Sequence, residues 1–220
     1  IAAMSSDQAS AFEAADVAAM NAGQLDAYFG AVTPMVLDLD GNGIQTIAAA
    51  DGVNFDLAAT GTAHRFGWVG GNDGMLAMDR NGDGQINDGG ELFGVGTRNA
   101  AGQRAANGYE AMAFEDSNGD KLLDANDASW AQMRVWVDGN HDGVTDSGEL
   151  KTMDDLGITS LNLHAQVGTE VDNGNLLGLV SDYTTTDGST HAMADVWFAK
   201  DTSTTGHGAM MSTADVSLGD

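Results

Sequence analysis

The chain has no cysteine and only one proline, Pro34. Without thiols it can form neither a disulfide framework nor a cysteine nucleophile. Basic residues are also scarce: eight Lys and Arg stand against 33 Asp and Glu, for a formal charge of −25. A field of that sign repels phosphate backbones, which argues against nucleic acid as a partner. No apolar run approaches the roughly eighteen residues a spanning helix needs, so no membrane insertion is expected, and the start carries no signal-peptide pattern. His64, His141, His164, His191 and His207 are scattered without zinc spacing. The glycine-rich turns lack the Lys-Ser/Thr pair of a phosphate-binding loop. Paired carboxylates for glycoside hydrolysis stay open in so acidic a chain, but the calcium pattern below accounts for the obvious pairs, so no catalytic residues and no enzyme are expected.

What the chain does contain is acid in a regular pattern. Its 42% hydrophobic content is enough for a core in one large domain or two small ones, so it is not a disordered acidic tail. The carboxylates collect in short turns with Asn and Gly, above all in residues 116–149. There Asp138, Asn140 and Asp142 occupy positions 1, 3 and 5 of a calcium-loop pattern, and Gly143 takes the sharp turn at 6. Val144 offers a carbonyl at 7, Asp146 a direct or water-mediated oxygen, and Glu149 two oxygens at position 12. A hard cation wants six to eight oxygens, which alternate residues of a tight loop can supply.

The preceding loop uses Asp116, Asn118, Asp120, the Leu122 carbonyl, Asp124 and Asp127. It departs from the pattern twice. Lys121 stands where glycine usually turns the chain, at some strain if φ is positive, and Asp127 is shorter than the usual closing Glu. Two more acidic turns lie upstream. Asp38, Asp40, Asn42 and the Ile44 carbonyl begin a loop that has no acid at position 12, so Asp56 is the nearest candidate to complete it. Asp79, Asn81, Asp83, Gln85 and Asn87 lead to Glu91, one residue late, a shift that Gly89 and Gly90 could absorb. At least four Ca2+ ions are therefore expected. They would cancel about eight of the negative charges.

The patterning predicts an Ala-rich helical segment within residues 1–32, a folded domain carrying the acidic loops over 33–200, and a Ser/Thr/Gly-rich tail over 201–220. Short helices are predicted over 109–115, 129–133 and 148–156, a strand over 134–137, and a hairpin around Gly70–Gly74. Three later strands, over 158–166, 175–185 and 189–199, carry a turn signal at Asp187-Gly188. The four tryptophans fall in strand-like or helical segments, as core residues do. The predicted fold class is α+β, an antiparallel β core with flanking short helices and several EF-hand-like calcium loops. Only ten residues separate the last two loops, too few for an ordinary EF-hand pair. The start at Ile1 leads us to expect an excised piece of a longer chain.

Four segments carry a resemblance: PMVLDLDGNGIQT, GWVGGNDGMLAMDRNGDGQINDGGELFG, the run 115–150, and DYTTTDGSTHAMADVWF. Together, over roughly residues 33–199, they resemble a calcium-binding region of large secreted RTX proteins of Gram-negative bacteria. The resemblance implies one of two functions. One is the peptide-binding domain of RTX adhesins, which attaches cells to one another. The other is the self-processing module of FrpC-type toxins, which cuts an Asp-Pro bond through an anhydride formed by the aspartate itself. Here the bond is Thr33-Pro34, and a threonine cannot form that anhydride. The expectation is thus a monomeric, calcium-dependent binding module at the bacterial surface. Its partner would be a peptide or protein C-terminus on a target cell, held by a calcium whose ligand set is incomplete, as around Asp38 and Asp79. The sequence does not identify the ligand groove.

Overall fold

The computed structural model describes residues 32–201. The helical segment expected in 1–32 and the tail expected in 201–220 lie outside the described residues, save Val32 and Asp201 at their margins. Thirteen strands run in chain order: β1 (Met35–Leu37), β2 (Thr46–Ile47), β3 (Val53–Phe55), β4 (His64–Phe66), β5 (Trp68–Val69), β6 (Gly74–Met78), β7 (Leu122–Asp124), β8 (Met133–Trp136), β9 (Leu150–Thr152), β10 (Ile158–Asn162), β11 (Gln166–Asp172), β12 (Asn175–Thr185) and β13 (Thr190–Trp197). Nine of them form one antiparallel sheet in the order β7-β10-β12-β13-β1-β6-β8-β9, with β11 added to β12. Two small sheets, β2 with β5 and β3 with β4, pack against it.

The centre of the sheet is buried on both faces, which is why its strands read as unbroken apolar runs rather than alternations. Every residue of β1 and of β6 is buried. Val36, Met75, Ala77, Trp136 and Ala194 face one core, which the small sheets close with Val53, Phe55, Phe66 and Trp68. Met35, Leu37, Leu76, Val135 and Met193 face the other, closed by Tyr109 and Met112 of a single short helix, α1 (Gly108–Ala113). The Asn107 side chain caps that helix by accepting the Glu110 N–H at 2.8 Å.

The α+β expectation is overturned: the described residues are nearly all β. Among the described residues, helix beyond the six residues of α1 is confined to one 3-10 turn, Trp130–Gln132, and they hold no set of flanking helices. The helix predicted over 148–156 is instead β9, because Leu150, Lys151 and Thr152 complete the open edge of β8. Thr152 and Asp155 then bond each other's backbone N–H, a local arrangement that competes with helix. The segment 129–133 shortens to the 3-10 turn because Met133 already belongs to β8. The turn at Gly70–Gly74 is not a hairpin either: β5 pairs with β2, while β6 pairs with β1 and β8. The turn at Asp187-Gly188 does connect paired strands, β12 and β13.

Candidate functional site

Four acidic loops share one backbone geometry. The first opens at Asp38 after β1, the second at Asp79 after β6, the third at Asp116 after α1, and the fourth at Asp138 between β8 and β9. In every one, the fourth and sixth positions are left-handed: Gly41 and Gly43 (φ 77° and 92°), Gly82 and Gly84 (78° and 83°), Gly119 and Lys121 (75° and 70°), His141 and Gly143 (56° and 72°). That conformation folds the loop back over its opening carboxylate, which accepts the N–H of the sixth residue at 3.0, 2.8, 3.1 and 2.9 Å. Lys121 and His141 adopt it as non-glycines, at a cost of roughly 1–2 kcal/mol each. The EF-hand-like description does not hold, since none of the loops lies between paired helices: α1 precedes the third, and strands precede the other three.

Closure is equally regular. The closing acid accepts the N–H of the loop's second residue: Glu91 from Arg80 at 3.1 Å, Asp127 from Ser117 at 2.8 Å, and Glu149 from Gly139 at 3.2 Å. Its other oxygen accepts the N–H of the ninth residue, from Asn87, Asp124 and Asp146 at 2.9, 3.0 and 2.9 Å. The first loop has a matching pair of contacts, but from a distant residue and with the second on the eighth position rather than the ninth. Asp73 Oδ1 accepts the Leu39 N–H at 3.1 Å and Oδ2 the Gln45 N–H at 2.8 Å. Sequence reasoning missed Asp73 because it lies in the turn read as a hairpin tip. Asp56, the residue nominated instead, takes up its carboxylate with the N–H groups of Thr60, Gly61 and Thr62.

The remaining sequence-predicted residues sit where the repeat puts them. Asn81, Asn118 and Asn140 accept the N–H two residues on from Asp83, Asp120 and Asp142, which in turn accept from Gln85, Leu122 and Val144. In the first loop Asp40 accepts from Asn42 at 3.3 Å, and Ile44 is buried. Asn87 packs against Asn81, and Asn140 donates to Asp146 at 3.0 Å.

Carboxylate oxygens of Asp38, Asp40 and Asp73 lie within 4.8 Å of one another. Burial, reinforced by the charges of Asp38 and Asp40, pushes the Asp73 carboxyl up to about 6 against the pull of its two N–H donors. Three hard oxygens gathered at a cost in burial and, less, in repulsion fit a divalent cation. In the third loop, burial works against the charged form of Asp127. The N–H groups of Asp124 and Ser117 outweigh it and hold the carboxyl below its ordinary range.

The loops are wired into the core. The indole N–H of Trp68 donates to Asp138 Oδ2 at 2.7 Å and that of Trp136 to Glu149 Oε2 at 3.2 Å, so the fourth loop's first and last acids rest on two buried rings packed edge to face. The sequence showed these tryptophans only as core. Ile86 N–H donates to Thr145 Oγ1 at 2.9 Å, joining the second loop to the fourth. Arg80 pairs with Glu115 at 3.0 Å, joining the second to the third. Tyr183 donates to the Asp38 carbonyl at 2.6 Å, tying the first to β12.

Residues 35–199 match the SPM domain family. The chain is also 46% identical over 171 residues to the iron-regulated protein FrpA of Neisseria meningitidis serogroup C; the match covers 76% of this chain and 15% of that protein. The matched segment runs from β1 through all four acidic loops to β13. The chain thus belongs to the SPM domain family and is an FrpA-like, RTX-related module.

Proposed function

We propose that this domain is a calcium-dependent peptide- or protein-binding module of a large secreted RTX adhesin. In this reading it serves cell attachment, has no catalytic activity, and works as a monomeric unit of a longer chain. The observation that carries the reading is the fourfold loop geometry, in which each opening carboxylate is met by a closing one, even where that acid must come from a distant turn. Carboxylates gathered in this way are stabilised by a bound cation and repel one another without it. Loops of this type suit extracellular calcium, which is abundant enough to fill weak sites. The calcium would fix the loops between the strands, and the fixed loops would present a surface for a peptide terminus. Titration calorimetry of calcium into chelator-stripped protein should show at least four ions. Binding of free peptides should require calcium and be lost on C-terminal amidation; equal binding of amidated and free-acid peptides would sink the carboxylate part of the reading.

A second reading, calcium-triggered self-processing, draws support from the surroundings of the Thr33-Pro34 bond. Thr33 and Pro34 are buried, and Gly94 packs directly against the Thr33 carbonyl. The fully buried Asp195 lies beside the Thr33 hydroxyl, and burial pushes its carboxyl up to about 7. Without an aspartate at residue 33 the anhydride step has no nucleophile. Incubation of the purified chain with calcium should leave it intact, and a fragment beginning at Pro34 would restore this second reading. Cleavage of a Thr33→Asp variant would show that one side chain separates the two functions.

A further inference from the structure

We infer that the pocket between Arg80 and Arg98 receives a monoanionic carboxylate attached to an apolar body. This deepens the peptide-binding reading and rests on it. In the sequence, the oxygen sets around Asp38 and Asp79 are incomplete. Asp73 and Glu91 complete those sets and place both of their oxygens on loop N–H groups. An anion approaching a chain of charge −25 still needs a local cation. Most arginines are committed elsewhere: Arg104 to the carbonyls of Ala58, Ala59 and Val95, Arg134 to those of Ala131 and Met133, and Arg65 to that of Gly52.

Arg80 and Arg98 instead line one pocket of about 620 Å3, with Phe114, Ala100 and Ala101 as its apolar wall. Arg80 is held in place. Its Nε donates to the Gly90 carbonyl at 3.2 Å, its Nη1 to Glu115 at 3.0 Å, and its guanidinium lies 5.5 Å over the Phe93 ring. Arg98 makes one hydrogen bond among the described residues, from Nη1 to the Gly102 carbonyl at 2.8 Å. The rest of its fork is available to pair with a carboxylate through two parallel bonds. Glu115 shares the pocket, so its balance is a single positive charge, which suits a carboxylate better than a phosphate dianion. The Arg80 N–H also bonds the closing acid of the second loop, and Glu115 directly precedes the first acid of the third. Cations in those two loops would therefore set the Arg80–Glu115 pair and make ligand binding calcium-dependent without touching the ligand.

The test is a nuclear magnetic resonance titration of the 15N-labelled, calcium-loaded 220-residue chain. The probes are N-acetyl-Ala-Phe as the free acid and as its C-terminal amide. The free acid should shift the Arg98 Nε–H and the N–H groups of Ala100 and Ala101, and the amide should not. Arg98→Gln should weaken binding roughly tenfold, the loss of one charge-assisted pair, with Arg98→Lys intermediate. An unchanged melting temperature for Arg98→Gln shows that the loss is not misfolding. Free-acid binding that shifts other residues and survives Arg98→Gln overturns the pocket but leaves calcium-dependent peptide binding standing. Equal shifts with sodium phosphate overturn it as a general counterion patch. If neither probe binds, the pocket is overturned, and retention of a mixture of free-acid peptides by the calcium-loaded protein then decides the broader reading separately.

Discussion

The first and fourth acidic loops reach the same geometry by different routes. The fourth is closed by Glu149, within its own twelve-residue span, and leans on two buried indoles. The first borrows its closing acid from Asp73, whose bond to Leu39 spans 34 residues of chain. A local closure survives as a sequence pattern; a distant one exists only once β1 and β6 have paired and brought the turn before β6 beside the loop. The difference teaches that the closure of an acidic loop here can be a product of tertiary folding as well as of a motif. It also means that the first site should report on folding of the sheet, and the fourth on its own loop.

The most severe way to break the comparison is to chelate the calcium that the proposed function assigns to both loops. Chelation should lower the thermal midpoint by tens of degrees, because the carboxylates then repel with nothing to bridge them. Superimposable melting curves with calcium and with chelator would mean that neither loop holds an ion that matters. Next come the closing acids themselves. Glu149→Ala and Asp73→Asn should each weaken one ion by tenfold or more, the loss of a charged ligand. Asp127→Ala should cost less than Glu149→Ala, since the shorter side chain closes its loop with less reach. Calorimetry giving the reverse order would contradict this ranking. Asp56→Asn should leave every ion in place, because that carboxylate caps its own turn.

Acid should separate the loops more finely. A proton on Asp73 competes with calcium, so the first loop's affinity for its ion should begin to fall as pH drops through about 6. Asp195 gives the smallest effect and the opposite sign. Its folded carboxyl titrates near 7, above its ordinary value of 3.8, so the native state holds a proton that the unfolded chain has released. Stability from this group therefore declines as pH rises from about 4 to 7 and is level above that. Asp195→Asn should keep the bond from Gly108 and melt higher than the parent at pH 8, with the gain fading toward pH 5. Calcium-saturated melting at both pH values checks this, and an equal shift at both would rule out titration as the cause.

The legible part of the molecule was the local part. Positions 1, 3 and 5 of all four loops, the turn residues at 6, and even the left-handed strain at Lys121 could be read from spacing, because a tight turn depends on a few adjacent residues. The antiparallel core and the Asp187-Gly188 turn were legible for the same reason. What could not be read depended on partners. Whether 148–156 becomes helix or strand is decided by the open edge of β8, and whether Gly70–Gly74 is a hairpin is decided by the strands that its two arms find. Asp73 shares that second dependence, and no feature of its own neighbourhood distinguishes it from an ordinary turn acid.

The two indoles that support the fourth loop give the protein an optical consequence. Trp68 and Trp136 are wholly buried, and each places its N–H on an acid of that one loop. When a divalent ion draws charge from those carboxylates, the field across both rings changes, and so does the wavelength at which they emit. Among the described residues the first loop has no such ring on its carboxylates: its aromatic neighbour Tyr183 bonds a backbone carbonyl. Tryptophan emission is therefore a colour signal weighted to one of four sites, while heat counts all of them. A lag between the two signals during a calcium titration would give the order in which the loops fill.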